Sequence, residues 1–407
     1  PPPPPPPPPP PFFFHAHPAI PDSSTSRGLG DVYKRQPEYG ERWGRHWLDV
    51  VRYAQTNGYE RDDEKPNAWR YRDYVINAFN TDKPYDRFIL EQLAGDELIL
   101  EAFNKNKPFV EGGDEGLIAT GFYRLGVWDD EPDDKLQAEY DGLDDILRTT
   151  TETFLGLTAG CARCHDHMFD PISQKDYYSM LAYFRNVRNY EKPSDKGIIQ
   201  RQIEGGKALS ISEHGTVAPE THVLIRGEAS KPSIEVQPRV PDVFSALSPE
   251  PEPAEKSSGR RLALAKWITN SSNPLTARVM VNRIWQYHFG RGIVASPNDF
   301  GRAGKPASNL ELLDWLASEF VKSKWSIKHM HRVIMNTAAY QRSSDNNSEN
   351  FDKDPGNEHH WRMNLRRLEA ETIRDRVLQI SGQLNNKRGG PSFYPALNGE
   401  VVAGASK

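Results

Sequence analysis

Apolar residues recur at helical spacing through much of the chain from residue 37 onward. Steps of three and four positions give each segment one apolar face, which predicts amphipathic helices. The predicted faces are Trp43, His46, Trp47, Val50 and Ala54; Tyr85, Phe88, Ile89, Gln92 and Leu93; Leu143, Ile146, Leu147, Thr150, Phe154 and Leu157; and Tyr177, Met180, Leu181 and Phe184. Two helix starts follow N-capping patterns, Ser173 with Asp176 and Ser308 with Glu311.

The pattern changes between residues 191 and 258. Ala208 to Ser212 and Thr221 to Arg226 are rich in residues typical of short strands. Pro249 to Ser258 has the composition of an extended linker. From Gly259 the helical spacing returns. We therefore predict a mainly α protein, with helical domains at 37–190 and 259–407 joined by a small β insert and a Pro-rich linker at 191–258.

Residues 1–36 do not fit this pattern. Pro1 to Pro11 is a homopolymer, and Ser23 to Gln36 has no periodicity. We interpret 1–36 as a low-complexity, non-native segment and exclude it from fold reasoning. The final residues carry no closing signal, so we expect the second domain to be truncated.

Composition excludes several classes of function. The mean hydropathy is −0.72 and no apolar run is long enough for a membrane span, so we expect a soluble chain without a transmembrane segment. The net charge of −5 gives no basic surface for nucleic acid.

The candidate chemistry lies at Cys161, Cys164 and His165. These are the only two cysteines, three positions apart, with a histidine directly after the second. Random placement would give that spacing about once in 200. The C-x-x-C-H pattern is that of covalent c-type haem, in which both thiols bind the porphyrin and the histidine is the proximal iron ligand.

Other interpretations stay open for the same stretch. The cysteines could form a disulfide or a redox-active pair, or they could be merely structural thiols. His165, Asp166, His167 and Asp170 could bind a divalent metal. Met168 is too close to His165 in sequence to bind the opposite face of an iron.

Several histidines elsewhere are candidates for the distal ligand. His46 is either a core residue or a distal haem ligand. His329, His331, His359 and His360 are weaker candidates for metal or haem ligation.

Long stretches of the chain resemble a known family. These are PEYGERWGRHWLDVVRYAQTNGYERD, GLTAGCARCHDHMFDPISQKDYYSMLAYF and RLALAKWITNSSNPLTARVMVNRIWQYHFGRGIVASPNDFG. They look like the planctomycete cytochrome-c-associated proteins, in which a PSCyt domain precedes a PSD domain, both of unknown function. The family pattern has lysine where Met168 stands. The resemblance implies an exported protein, periplasmic or at the cell surface, and many members carry an additional cytochrome module.

Three functions follow as hypotheses. The first is an exported, haem-c-linked protein that transfers electrons with a redox partner or cytochrome, or oxidises a substrate. The second is a metal-dependent hydrolase or lyase that uses His165, Asp166, His167 and Asp170. The third is a non-catalytic surface protein that binds polysaccharide near Tyr59.

Overall fold

The computed structural model describes residues 36–59, 62–104, 113–129, 131–188 and 199–393. They form a mainly α protein, as predicted. In chain order the α-helices are α1 (Glu38–Val50), α2 (Ala68–Asn80), α3 (Tyr85–Asn104), α4 (Gly113–Ala119), α5 (Lys135–Thr150), α6 (Gln174–Leu181), α7 (Arg260–Ile268), α8 (Thr276–Phe289), α9 (Leu310–Lys322), α10 (Ile327–Met335), α11 (Ser348–Lys353) and α12 (Ala370–Ile380). The predicted segment 1–36, apart from Gln36, lies outside the described residues.

Within the described residues, the strands are short and pair only in twos. They are β1 (Val187–Arg188), β2 (Gln200–Ile203), β3 (Gly206–Leu209), β4 (Ser212–Glu213), β5 (Thr221–Leu224) and β6 (Pro232–Val236). The antiparallel pairs are β1 with β4, β2 with β3, and β5 with β6. Five of the six strands fall in the predicted β insert.

The chain divides into two compact units. Among the described residues, the first comprises Gln36–Thr276, Gly301–Ala303 and residues 388–393, and the second comprises Ala277–Phe300 and Gly304–Lys387. The predicted boundaries at 190 and 259 concern sequence domains and stay predictions.

Aromatic rings fill the core of the first unit. The Trp47 ring lies 5.0 Å from Phe88 and 5.8 Å from Phe154, and Phe122 lies 5.9 Å from Phe154. These rings come from α1, α3, the turn after α4 and the turn after α5. Burying large aromatic faces supplies much of the hydrophobic stabilisation of such a core.

A buried ion cluster joins α3 to α7. The Arg261 side chain is fully buried and pairs with Asp96 and Glu213, each at 2.8 Å. Glu97 accepts hydrogen bonds from the Ser257 hydroxyl and from the backbone N–H of Leu262. Ser257 and Ser258, at the end of the predicted linker, are therefore packed against the helices and are 2% and 4% exposed.

The second unit has its own aromatic and histidine core. The His288 and His331 rings share a hydrogen bond of 2.9 Å, and the Tyr340 ring meets His288 edge-on at 5.4 Å. The Phe320 and Trp325 rings pack at 5.3 Å.

Candidate functional site

The C-x-x-C-H segment begins where α5 ends. The buried face of α5 continues through a π-helical turn, Thr151–Leu155, to Gly156, whose φ of +60° ends the helix. After Thr158 the chain forms a short 3₁₀ helix, Ala159–Arg163, which carries Cys161. The prediction that the motif follows a buried helix end is confirmed.

Both thiols lie at the surface. Cys161 and Cys164 are exposed and free, with no disulfide between them. His165 is exposed as well. All three groups that c-type attachment requires are therefore accessible from solvent.

The His165 ring has a defined tautomer. Its Nδ1 lies 2.7 Å from the backbone oxygen of Asp166. A carbonyl oxygen only accepts hydrogen bonds, so Nδ1 carries the proton and the lone pair of the neutral ring is on Nε2. A metal-bound histidine commonly has this arrangement, with one nitrogen donating to a carbonyl and the other free to bind.

The His167 ring has the opposite tautomer. Its Nδ1 accepts from the backbone N–H groups of Asp170 at 2.8 Å and Phe169 at 3.3 Å, so its proton is on Nε2. Nε2 lies 3.2 Å from the Thr158 hydroxyl, to which it donates. Only 3% of the His167 side chain is exposed.

The His167 surroundings also bear on acid–base chemistry. Thr158, His167 and Asp170 stand in the order of a hydroxyl–imidazole–carboxylate relay, with Asp170 Oδ2 3.7 Å from Nδ1. A relay of that kind needs the lone pair on Nε2, facing the hydroxyl. Here that nitrogen carries the proton, so the arrangement is not set up to activate Thr158.

The two acidic candidates bind backbone groups. Asp166 accepts from the N–H of Gln174 at 2.8 Å, and Asp170 accepts from the N–H of Arg302 at 2.7 Å. The Asp170 side chain is 4% exposed, whereas Asp166 is exposed.

The structure does not bring the proposed metal ligands to one point. Within the described ranges, no group of three or more His, Cys, Asp or Glu side chains is arranged to hold a metal ion. His165, Asp166, His167 and Asp170 each have a separate hydrogen-bond partner. A metal site at these four residues stays a prediction.

Neighbouring elements hold the 3₁₀ helix in place. The side-chain N–H of Gln174 donates to the backbone oxygens of Arg163 at 2.9 Å and Leu224 at 3.0 Å. Arg163 pairs with Asp141 and Asp144 on α5. Burial disfavours its charge, but these carboxylates outweigh that cost and raise the pKa of Arg163.

A turn from the β insert lies against Cys164. The turn Ile225–Gly227 follows β5, and Gly227 has a φ of +75°. A Cβ atom at Gly227 would lie 3.1 Å from the Cys164 sulfur. Sequence analysis missed Gly227 and Gln174 as neighbours of the site, because their contacts depend on tertiary packing.

The aromatic face of α6 is core and not pocket lining. Tyr177, Met180, Leu181 and Phe184 are at most 1% exposed. Beside the motif the exposed apolar side chains are Met168, at 80%, and Phe169, at 51%.

The more distant histidines have partners within their own units. The His46 ring meets Trp43 edge-on at 5.6 Å on α1, and a distal role for it stays a prediction. In the second unit, His331 bonds His288, and His329 lies 2.9 Å from Glu319. Burial lowers the pKa of His360 to about 4, and its Nε2 accepts from Trp285 at 3.0 Å.

Two family models match separate parts of the chain. Residues 21–189 match PSCyt2, described as a protein of unknown function (DUF1549), and residues 260–406 match PSD1, described as a protein of unknown function (DUF1553). The chain has the PSCyt-then-PSD order. That order is the predicted one, and the whole segment Cys161–Asp170 lies in the PSCyt2 match. Comparisons with curated proteins and with solved structures gave no match.

Among the described residues, no helix combines the length and the apolar character that crossing a bilayer requires.

Proposed function

We propose that this PSCyt–PSD chain is an exported, haem-c-linked protein that carries out electron transfer or haem-linked oxidation. The proposal rests on one observation, which combines the exposure of two thiols with the tautomer of the neighbouring histidine. Cys161 and Cys164 are exposed free thiols, and the exposed His165 ring next to them has its lone pair on Nε2. These states fit covalent attachment by two thioethers and ligation by His165.

The chain's own groups would perform separate tasks at this site. The two thiols would hold the porphyrin, and His165 Nε2 would bind the iron. The Asp166 carbonyl fixes the orientation of the His165 ring by accepting from Nδ1. A bound haem would supply one-electron redox chemistry.

Solvent exposure of the site favours electron transfer to a partner. The surface at this site includes the two cysteine thiols, His165, Met168 and Phe169. A haem held there would have an accessible edge, as exchange with a redox protein requires. The Met168 and Phe169 side chains offer apolar contact for such a partner.

The test is spectroscopic. The protein is expressed in a periplasm together with haem-maturation machinery, and its absorption is recorded before and after acid–acetone extraction. We expect a Soret band that survives extraction in the wild type and is lost in the Cys161→Ala/Cys164→Ala variant. His165→Ala should change the spectrum, whereas His222→Ala, a half-buried histidine of the same unit, should not. A wild-type protein without haem, when a control cytochrome matures in the same cells, would refute the proposal.

A further inference from the structure

His167 differs from the side chains directly before and after it in the sequence. Its side chain is 3% exposed, while His165, Asp166, Met168 and Phe169 are exposed. It occupies the interior of the loop that follows the cysteines. A buried polar ring needs partners for its nitrogens, and both are supplied from within the segment 158–172.

The hydrogen bonds of His167 reach both ends of the motif. Its Nε2 donates to Thr158, three residues before Cys161. Its Nδ1 accepts from Phe169 and Asp170, and its backbone N–H donates to the Ile172 oxygen at 2.9 Å. His167 thus connects the start of the segment 158–172 to its end, through its side chain at Thr158 and its backbone N–H at Ile172.

The lone pairs explain why His167 serves this purpose and His165 does not. The only basic nitrogen of the neutral His167 ring is Nδ1, and two backbone N–H groups occupy it. The basic nitrogen of His165 is Nε2, on a ring that belongs to an exposed residue. The same residue type, two positions apart, is therefore prepared for two different tasks.

We infer that His167 is a positioning residue, which closes the loop 158–172 and so presents Cys161, Cys164 and His165 outward. Both of its ring nitrogens form hydrogen bonds within the segment 158–172. Asp170 assists by holding the far end of the loop to the backbone of Arg302. The haem-related part of this inference rests on the proposed function, whereas loop closure does not.

The first experiment measures loop closure in the haem-free chain. Amide hydrogen exchange at Asp170 and alkylation rates of the two thiols are compared in the wild type, His167→Phe and His167→Asn. Asparagine places an oxygen near the position of Nδ1 and can accept the same backbone bonds, while phenylalanine keeps the ring and loses both partners. We expect exchange at least about fivefold faster in His167→Phe, the factor for one lost hydrogen bond of ~1 kcal/mol, and near wild type in His167→Asn.

Matched controls separate this role from general damage. Met168→Ala alters an 80% exposed side chain of the same loop and should leave both rates unchanged. If His167→Phe does not fold, Thr158→Val removes the partner of Nε2, and Thr158→Ser restores it. We expect Thr158→Val to raise thiol alkylation about threefold or more and Thr158→Ser to return it to the wild-type rate.

The outcomes are distinct. The loop-closure role would be overturned if amide exchange at Asp170 were unchanged in His167→Phe. It would also be overturned if neither His167→Asn nor Thr158→Ser restored the wild-type rates. In matured protein, the haem-bearing fraction should fall in His167→Phe and recover in His167→Asn; a fraction that does not fall would overturn the presenting role. If the wild type takes up no haem, the proposed function fails while the exchange data still decide loop closure.

Discussion

At the scale of single residues, the site depends on where hydrogen atoms and small side chains are placed. His165 and His167 have the same side chain, but their hydrogen-bond partners give them opposite tautomers. Sequence analysis treated both as candidate ligands, because the sequence shows only residue type and spacing. The distinction comes from the backbone groups that face each ring, which a motif does not encode.

Gly227 is a second residue-scale determinant. Gly227→Ala should lower the free energy of unfolding by about 1–2 kcal/mol, because alanine disfavours a φ of +75°. The added Cβ, 3.1 Å from the Cys164 sulfur, should also slow alkylation of that thiol by covering one side of it. Denaturant unfolding and mass-resolved alkylation measure the two effects.

Gly205→Ala is the matched control for Gly227→Ala. Gly205 has a φ of +74° and no neighbour within 4 Å of its would-be Cβ. It should show the same backbone cost without any change at Cys164. Equal alkylation rates in the two variants would disprove the contact.

Lys65 gives a prediction on pH dependence. Burial, with the nearby charges of Arg124 and Arg52, lowers the pKa of Lys65 to about 7. Lys65 is 2% exposed, and its amine donates to the carbonyls of Leu125 and Gly126. In the unfolded chain a lysine has a pKa near ~10.4. Between these values the unfolded state binds more protons, so this group makes stability rise with pH, by up to about 1.4 kcal/mol per pH unit.

Lys65→Met should remove that rise between about pH 7 and 10. Urea unfolding at several pH values gives the free energy of unfolding of the variant and of the wild type, and the two pH dependences are compared. Lys266→Met, which alters a half-exposed ion pair with Glu101, should keep the wild-type slope. A wild-type slope retained in Lys65→Met would contradict the lowered pKa.

At the scale of elements, the packing of α3 on α7 depends on Arg261. Arg261→Met would leave Asp96, Glu97 and Glu213 without their cation, and breaking a buried pair from one side costs about 3–5 kcal/mol. Glu97→Gln should cost less than about 1 kcal/mol, since burial raises the pKa of Glu97 to about 7 and glutamine resembles its protonated form. Thermal unfolding of the two variants side by side checks this, and a comparable loss in both would contradict it.

The helices show what local sequence predicts well. The α5 face is buried from Leu143 to Phe154 as its periodicity indicates, and Ser173 forms the expected capping box with Asp176. The predicted cap at Ser308 was wrong, because the N-cap of α9 is Asn309, which accepts from Leu312. Both residue types cap well, and the sequence alone did not decide between neighbours.

Long-range pairs were not predictable. Arg261 meets partners 165 and 48 residues away, and Asp170 meets Arg302 from 132 residues away. No periodic pattern connects such positions. The sequence therefore indicated the helices and the motif, while the buried ion cluster and the closed loop required the structure.

At the scale of the whole molecule, the fold class follows from the hydrophobic pattern, and the compartment is part of the proposal. Bacterial c-type haem is attached outside the cytoplasm, so we expect haem on the chain only when it is exported. The same chain should lack haem when it is expressed without a signal sequence, and absorption of the two preparations at equal protein concentration measures this. Equal haem content in both would contradict the expected compartment.

The most direct test of the central claim is the intact mass of the protein purified from a periplasm that contains haem-maturation machinery. The account predicts a mass increase of one haem under denaturing conditions, present in the wild type and absent from the Cys161→Ala/Cys164→Ala variant. An unmodified wild-type mass, with haem attached to a control cytochrome from the same cells, would contradict it.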